Sequence, residues 1–517
     1  MPKDRLHVPY TDFTGGVNED DQPGALATNE LRIARNIVYK GRALSSRAGS
    51  SRLQTVALNS GAAGTSVYNY TYTAGANQII LATFGNAIYS GAKGATPTAI
   101  TGTATVTAGQ NTQVHWVTVN DTALGCNGTD PPWVVDAAAN AAVLGGSPPS
   151  FGTMATKWNY TFGAGHAAAT RTIRYSAMGS TISWPSANTV SALLGDSSPA
   201  IEGRDYIWQL SHLGDSLFVG LANSVGRVLY TGDSTTPFRY QQLSDFGIEG
   251  QSYVPVGAGG YFLSKRGVHF IQPSDVQLSY ESSLISGQRL RATWDGLNKA
   301  RIRYTYPTLY RTSVGNLLVI WPLSSGGATT IDMALVMDVT EGPGRERFFW
   351  WTGWDANALC TSLNSSSKAE ELLFASSVGY VWQGDTDTSD NDVAYVVEAA
   401  TRWEDFGAPS VKKLLRAIYV ELKQSGAFSL NIGVYFDYST TEALTLTQSV
   451  AGTTQAVWGT AVWGTDVWPT LGIVRSYLPG FDDGVVISFR FYTTAADQPW
   501  SVYKCVPAVR AATEAKD

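Results

Sequence analysis

The sequence predicts an all-β protein: a β-propeller of six to eight blades with an additional C-terminal antiparallel β domain and few short helices. Three observations carry this. Seven hairpin-like segments recur between residues 53 and 400, each an apolar strand, a glycine turn and a short strand with an aromatic. Their turn glycines (Gly85, Gly128, Gly179, Gly226, Gly267, Gly326 and Gly379) stand 41 to 59 residues apart, and propeller blades take roughly 40–50 residues. Beyond residue 411 the pattern becomes strict alternation, as in Ile418–Val420–Leu422, Phe428–Leu430–Ile432–Val434–Phe436 and Ile487–Phe489–Phe491, the mark of half-buried strands. Finally, the 517 residues include 52 Gly, 16 Trp and 25 Tyr, with only 15% charged against about 25% in an ordinary domain. Aromatic strands joined by glycine turns have that composition.

Residues 1–52 read as an N-terminal arm with a short helix. It opens "DFTGGVNEDDQPG" (Asp12–Gly24), and "ATNELRIARNI" has a helix cap at Thr28 or Asn29 with Ile33 and Ile37 on one face. From Arg32 to Arg52 there are six basic residues and no acid. That stretch either meets an acidic neighbour or a phosphate, or is a solvated face. Residues 53–400 are the propeller. Within it, Leu290, Trp294 and Leu297 have helical spacing and predict an inserted helix of about three turns. Residues 411–510 are the C-terminal, sandwich-like β domain, with "PGFDDG" (479–484) as a turn. Between its strands lies "AVWGTAVWGTDVWPT", with Trp458, Trp463 and Trp468 five apart. Five fits neither the helical nor the strand period. This is an extended aromatic loop that either folds over its own sheet or grips a neighbour or glycan.

No motif carries chemistry. FTGGVN and "GAGG" (257–260) lack the Lys-Ser/Thr or third glycine of a phosphate loop. The two DFG triplets, Asp245–Gly247 and Asp405–Gly407, have no HRD loop to accompany them. "DTDTSDND" (Asp385–Asp392) starts like a calcium loop, but Asp390 and Val396 stand where Gly and Glu are needed. It reads as a solvated acidic turn, with an irregular cation site as the other reading. Cys126, Cys360 and Cys505 lack CxxC spacing and read as buried thiols of a reducing compartment. The five histidines (His7, His115, His166, His212, His269) form no HxH or HExxH. Asp338, Glu341 and Asp355 are acids near tryptophans that a glycosidase pair would require to be close. Arg289, Arg291, Lys299, Arg301, Arg303 and Arg311, interleaved with Trp294, Tyr304, Tyr306 and Tyr310, suit a subunit contact or a single-stranded nucleic acid; the subunit contact is preferred. The expectation is a protein with no catalytic, metal or cofactor-binding residues and no cofactor.

Net charge is −6, which disfavours a general nucleic-acid binder but suits a surface that nucleic acid slides past. MPKDRLHVPY has no apolar core of a secretory signal, and no apolar run approaches the ~18 residues of a membrane span.

The opening segment resembles the N-termini of tail hub or tail nozzle proteins of short-tailed bacteriophages, some of which are called packaged-DNA stabilisation proteins. The resemblance rests on Phe13, Gly15, Gly16, Val17, Asn18, Pro23, Asn29, Glu30, Asn36, Ile37, Arg47, Ala48 and Gly49. "IEGQSYVPVGAGGYFLSKRGVHFI" and "GYVWQGD…TRWEDFGAPSVKKLLRAIYVEL" are also similar to that family, while the VWGT loop departs from it. The resemblance implies a non-enzymatic structural protein of the virion tail, assembled in the host bacterial cytoplasm. It implies a ring of copies, a homohexamer, joined to a connector or adaptor protein. Tail-tip, fibre or spike proteins attach outside, and packaged double-stranded DNA passes through without sequence specificity. Phe13, Gly15, Gly16, Arg47, Trp458, Trp463 and Trp468 are the expected assembly contacts. Two other readings stand beside it: a carbohydrate-binding or glycan-hydrolysing propeller used in receptor recognition, and a head decoration or long-tail component. "YSAMGSTISW" vaguely matches an aspartate-box turn, but Met178 occupies the Asp position.

Overall fold

The computed structural model describes residues 5–6, 9–19, 26–73, 77–92, 95–109, 111–165, 171–191, 205–273, 280–287, 289–364, 367–423, 427–450 and 473–511. The protein is a β-propeller fused to a β-sandwich. Six four-stranded antiparallel sheets and the first four strands of a nine-stranded sheet make seven blades. Their innermost strands are Gly64–Tyr72, His115–Val119, Thr153–Lys157, Ile207–Leu213, Val254–Val256, Thr308–Arg311 and Ala358–Leu363. Each innermost strand touches the next, and the last touches the first, so the circuit closes.

Blades stack face to face, so their middle strands are covered on both sides. Ser216–Leu221, Gly259–Ser264 and Met333–Asp338 are buried at every position, as expected for strands sandwiched between neighbours. The apolar clusters sit between consecutive blades. Trp116 and Trp133 of the second blade pack with Tyr70 and Leu81 of the first. Phe218 of the fourth blade stacks on Tyr253, at the start of the fifth, with ring centroids 3.8 Å apart. Each large apolar side chain buried this way contributes about 1.5–3 kcal/mol.

Four of the seven turn glycines (Gly85, Gly128, Gly326 and Gly379) fall in the same place, the connection between the second and third strands of a blade, and Gly267 opens the third strand directly after that turn. Gly179 lies instead in the next connection of the third blade, and Gly226 inside a strand of the fourth.

The seventh blade is completed from the chain's beginning. Its outermost strand is Ser50–Arg52, paired antiparallel with Val381–Gly384. The segment before it is woven into the sandwich. One sandwich sheet runs Ile37–Lys40, Ala43–Ser46, Ser501–Ala511, Lys413–Lys423 and Ile473–Gly484. The other runs Leu31–Arg35, Val397–Thr401, Ile487–Thr493, Phe428–Phe436 and Leu444–Val450. Leu31–Arg35 also pairs in parallel with Arg347–Thr352, the outer strand of the sixth blade, so sandwich and propeller share one nine-stranded sheet. Ile418, Val420 and Leu422 face a core shared with Ile432, Phe489 and Phe491.

Three local readings are corrected. Residues 31–35 are a strand, not the short helix of the arm, because two flanking strands supply pairing for its backbone; tertiary pairing overrides local propensity. Asn36 adopts φ 53° between this strand and the next, a left-handed conformation Asn tolerates. The inserted helix is two short pieces, α1 (Arg291–Asp295) and α2 (Lys299–Ile302), with Leu290, Trp294 and Leu297 all buried. PGFDDG ends a strand rather than making a turn; the bend follows at 485–486. Pro479 is accommodated because Ile473–Gly484 is the edge of its sheet and its partner strand bulges between Leu415 and Ala417.

Candidate functional site

Two constructions stand out: an N-terminal clasp and a strap across the propeller axis. The clasp is built from the "DFTGGVNE" residues. Phe13 is 1% exposed and meets Phe491 of the sandwich edge-on, with centroids 6.2 Å apart. Gly15 and Gly16 let the backbone pass through a tight place. A Cβ on Gly15 would lie 2.7 Å from Glu30 Cγ, and one on Gly16 would lie 2.9 Å from the amide nitrogen of Phe348. Gly16 also has φ +79°, where a side chain is strained. Val17 N then donates to Phe348 O at 2.8 Å, and Leu31 N to Gly16 O at 2.9 Å. Glu19 reaches the strap: its carboxylate accepts from Thr293 N and Thr293 Oγ1, both at 2.7 Å, and from Trp350 Nε1 at 3.0 Å. One short segment thus ties sandwich, sixth blade and α1 together.

The second half of the arm carries a buried ion pair. Arg47 is 3% exposed and donates to both carboxylate oxygens of Asp390. Its Nε donates to Asn36 Oδ1 at 3.1 Å, and its guanidinium lies 3.7 Å from the Tyr395 ring centroid. Asn36 in turn donates to Val396 O at 2.7 Å and accepts from Thr352 N at 3.0 Å. The acidic run Asp385–Asp392 is solvated in part: Asp387 and Asp392 are exposed, whereas Asp385 and Asp390 are held by the fold. Asp390 also accepts from Ser50 Oγ at 2.7 Å, and Asp385 accepts from Tyr310 Oη at 2.9 Å and Ser313 N at 2.8 Å. Among the described residues no group of His, Cys, Asp and Glu is placed to hold a metal ion.

The strap is residues 289–307, the connection from the fifth blade to the sixth. It crosses to the opposite side of the ring. Arg301 Nη1 donates to Asn111 Oδ1 at 3.1 Å, and Gln113 Nε2 donates to Tyr304 O; both partners precede the second blade. At Gly250 the strap presses so close that a Cβ would sit 2.0 Å from Arg303 O. Tyr306 then enters the axis beside His115, with ring centroids 6.3 Å apart. That end of the propeller is closed. The groups around it are held neutral by burial: the Tyr306 phenol and the Cys360 thiol are pushed up, the latter to about 12, and the His115 imidazole is pushed down to about 4. Burial likewise raises the Cys126 and Cys505 thiols, so none of the three is an activated nucleophile.

Several sequence candidates change meaning. Phe13, Gly15, Gly16 and Arg47 are packed against their own chain. Trp458, Trp463 and Trp468 lie outside the described residues. Asp338 and Glu341 share Arg347 in the sixth blade, whereas Asp355 accepts from Ser377 of the seventh, so the three acids do not gather at one place. Of the basic and aromatic stretch, Arg301, Tyr310 and Trp294 are buried while Arg289, Arg291, Lys299 and Arg303 are exposed. Sequence reasoning gave Glu19 no role and read Asp390 only as part of the acidic turn. Their partners lie 274 and 343 residues away, and no local pattern reports such distances.

No family model matches the chain, and no curated protein matches it. Among solved structures, it is similar to the extracellular domain of a putative hybrid two component system from B. thetaiotaomicron, at 9% identity and TM-score 0.38, covering 65% of this chain and 39% of that one. It is also similar to BamB from Moraxella catarrhalis, at 10% identity and TM-score 0.36, covering 68% of this chain and 95% of that one.

Proposed function

We propose that the protein is a non-enzymatic structural component of a bacteriophage tail. Copies of it form a hub or nozzle ring, a homohexamer, between the portal-adaptor connector and the tail tip, retaining packaged DNA and framing its exit. The observation that carries this is the clasp. The residues behind the tail-hub resemblance, from Phe13 through Asn36 to Arg47, are spent on locking sandwich, propeller and strap into one rigid block. A block of this kind suits a part that bears load in an assembly.

Because the strap closes the propeller axis, the DNA path in this reading lies between copies, around the ring centre, rather than through any one propeller. A chain of net charge −6 lining that path holds DNA weakly and lets it move. A ring also needs two unlike surfaces that meet head to tail.

The test is copy number. Mass measurement and electron microscopy of particles containing the protein should find about six copies at a single vertex. A stable monomer absent from particles removes the reading, and hundreds of copies per particle make the protein a head decoration instead. Binding to a glycan array or glycan hydrolysis by the purified chain would favour the receptor-recognition alternative.

A further inference from the structure

We infer that the strap face is a binding surface for the phosphate backbone of duplex nucleic acid, which lies across the closed end of the propeller. The tail-hub reading motivates the choice of duplex DNA as probe; the location rests on the residues alone.

Six exposed cations gather there: Lys265 and Arg266 in a turn of the fifth blade, and Arg289, Arg291, Lys299 and Arg303 on the strap. Trp294 ties the turn to the strap. Trp294 Nε1 donates to Lys265 O at 3.5 Å, and Lys299 Nζ lies 4.7 Å from the Trp294 ring centroid. Four acids stand among the six cations, one of them Glu19, whose carboxylate accepts from Thr293. Asp295 faces Arg291 at 3.7 Å, and Glu30 faces Arg289 at 3.5 Å. Glu249 lies among Lys265, Arg303 and Lys299, and burial raises its carboxyl, an effect those cations oppose. Four cations, Lys265, Arg266, Lys299 and Arg303, have no carboxylate at ion-pair distance among the described residues, whereas Arg289 and Arg291 do. In a chain of net charge −6 this is a local reversal of sign.

The chemistry separates a polyanion from a protein partner. Protein interfaces have an apolar, often aromatic centre inside a polar rim. Here Trp294, Leu297 and Ile302 all turn inward and are buried, and what shows between the cations is Ala292, Gly296 and Ala300. A rigid cationic face without an apolar centre fits phosphate. The helices have five and four residues, too short to read bases along a major groove, so the contact is sequence-independent. Rigidity comes from Glu19 on Thr293 and from Arg301 Nε on Ser324 Oγ at 3.2 Å. Arg303 is also pre-positioned, with its guanidinium 5.0 Å from the Tyr304 ring centroid.

The test is fluorescence anisotropy with a short random-sequence DNA duplex across a salt series, on the full chain. Counterion release predicts a slope of log affinity on log salt of roughly −0.9 per phosphate contacted. Wild type should bind at low salt with a slope of about −3 to −5. The triple variant Lys265→Gln/Lys299→Gln/Arg303→Gln should lose at least about tenfold in affinity and about 2 to 3 of the slope, with only a small fall in melting temperature, because all three side chains are exposed and what they lose in the fold is the contacts of Lys299 with Trp294 and of Arg303 with Tyr304. Failure of wild type to bind, or equal binding and slope in the triple variant, overturns the proposal. Salt-sensitive self-association lost in the variant, with no duplex binding, overturns it too and makes the face a contact between copies. Duplex binding by a protein absent from particles would leave this proposal standing while removing the tail-hub reading.

Discussion

Arg47 and Asp390 face each other with two parallel contacts, Nη1 to Oδ1 at 3.1 Å and Nη2 to Oδ2 at 2.5 Å. The pair ties the N-terminal arm to the loop beyond the seventh blade, whose outer strand begins three residues after Arg47. It therefore sits at the closure of the propeller ring. Removing one partner leaves the other charge buried, which costs about 3–5 kcal/mol. Asp390→Ala should lose that much stability by urea denaturation, whereas Arg47→Met with Asp390→Leu should recover most of it. Equal stability of Asp390→Ala and wild type would show that the closure does not depend on the pair.

Phe13 packs edge-on against Phe491 inside the chain's own core. Phe13→Ala should destabilise the isolated chain by about 3–5 kcal/mol, seen as a lower urea midpoint before any assembly. A variant as stable as wild type that only fails to assemble would restore Phe13 as an intermolecular contact.

At Gly16 two penalties coincide, the positive φ and the 2.9 Å approach to Phe348 N. Gly16→Ala should cost about 1–2 kcal/mol from the backbone conformation alone, and more where the neighbouring strand must shift. Thermal unfolding measures it; a change below a few tenths of a kcal/mol contradicts the close passage.

Glu19 anchors α1 through Thr293. Glu19→Ala should speed amide hydrogen exchange across 291–296 by about tenfold or more, since a local loss of 1.4 kcal/mol is one decade. Unaltered protection there would mean that the strap is held by its other contacts, such as those to Asn111, Gln113 and Ser324, without Glu19.

His269 is 1% exposed, between Phe262 and Phe246, with ring centroids 5.3 and 5.1 Å away. Burial, aided by Arg266, pushes its imidazole down to about 4, against about 6.5 in an unfolded chain. Above pH ~6.5 both states are neutral and the stability is fully present. As pH falls from about 6.5 to about 4, the unfolded chain takes up a proton that the folded chain refuses, and stability drops by up to about 3 kcal/mol. His269→Phe should remove about half of the fall in urea midpoint over that window, the rest coming from His115, whose imidazole burial also pushes down to about 4. A wild-type midpoint independent of pH between 4 and 7 would exclude the effect.

The blades were legible because they are local. Each hairpin closes within a few residues, so Gly85, Gly267 or Gly379 marks its turn whatever lies around it. Strict alternation at Phe428–Phe436 likewise reports one buried face without reference to the partner sheet. Composition and spacing thus determined an all-β chain, a propeller of about the observed blade number and a separate alternating region.

The arm was misread for the opposite reason. Leu31–Arg35 has local features compatible with a helix, yet its backbone pairs with strands more than 300 residues away. The burial of Phe13, the Arg47–Asp390 pair and the path of the strap over the axis all depend on where distant segments arrive. Only the tertiary structure decided them, because an ion pair or a close backbone approach is set by distance in space, and alternation along the chain carries no record of it.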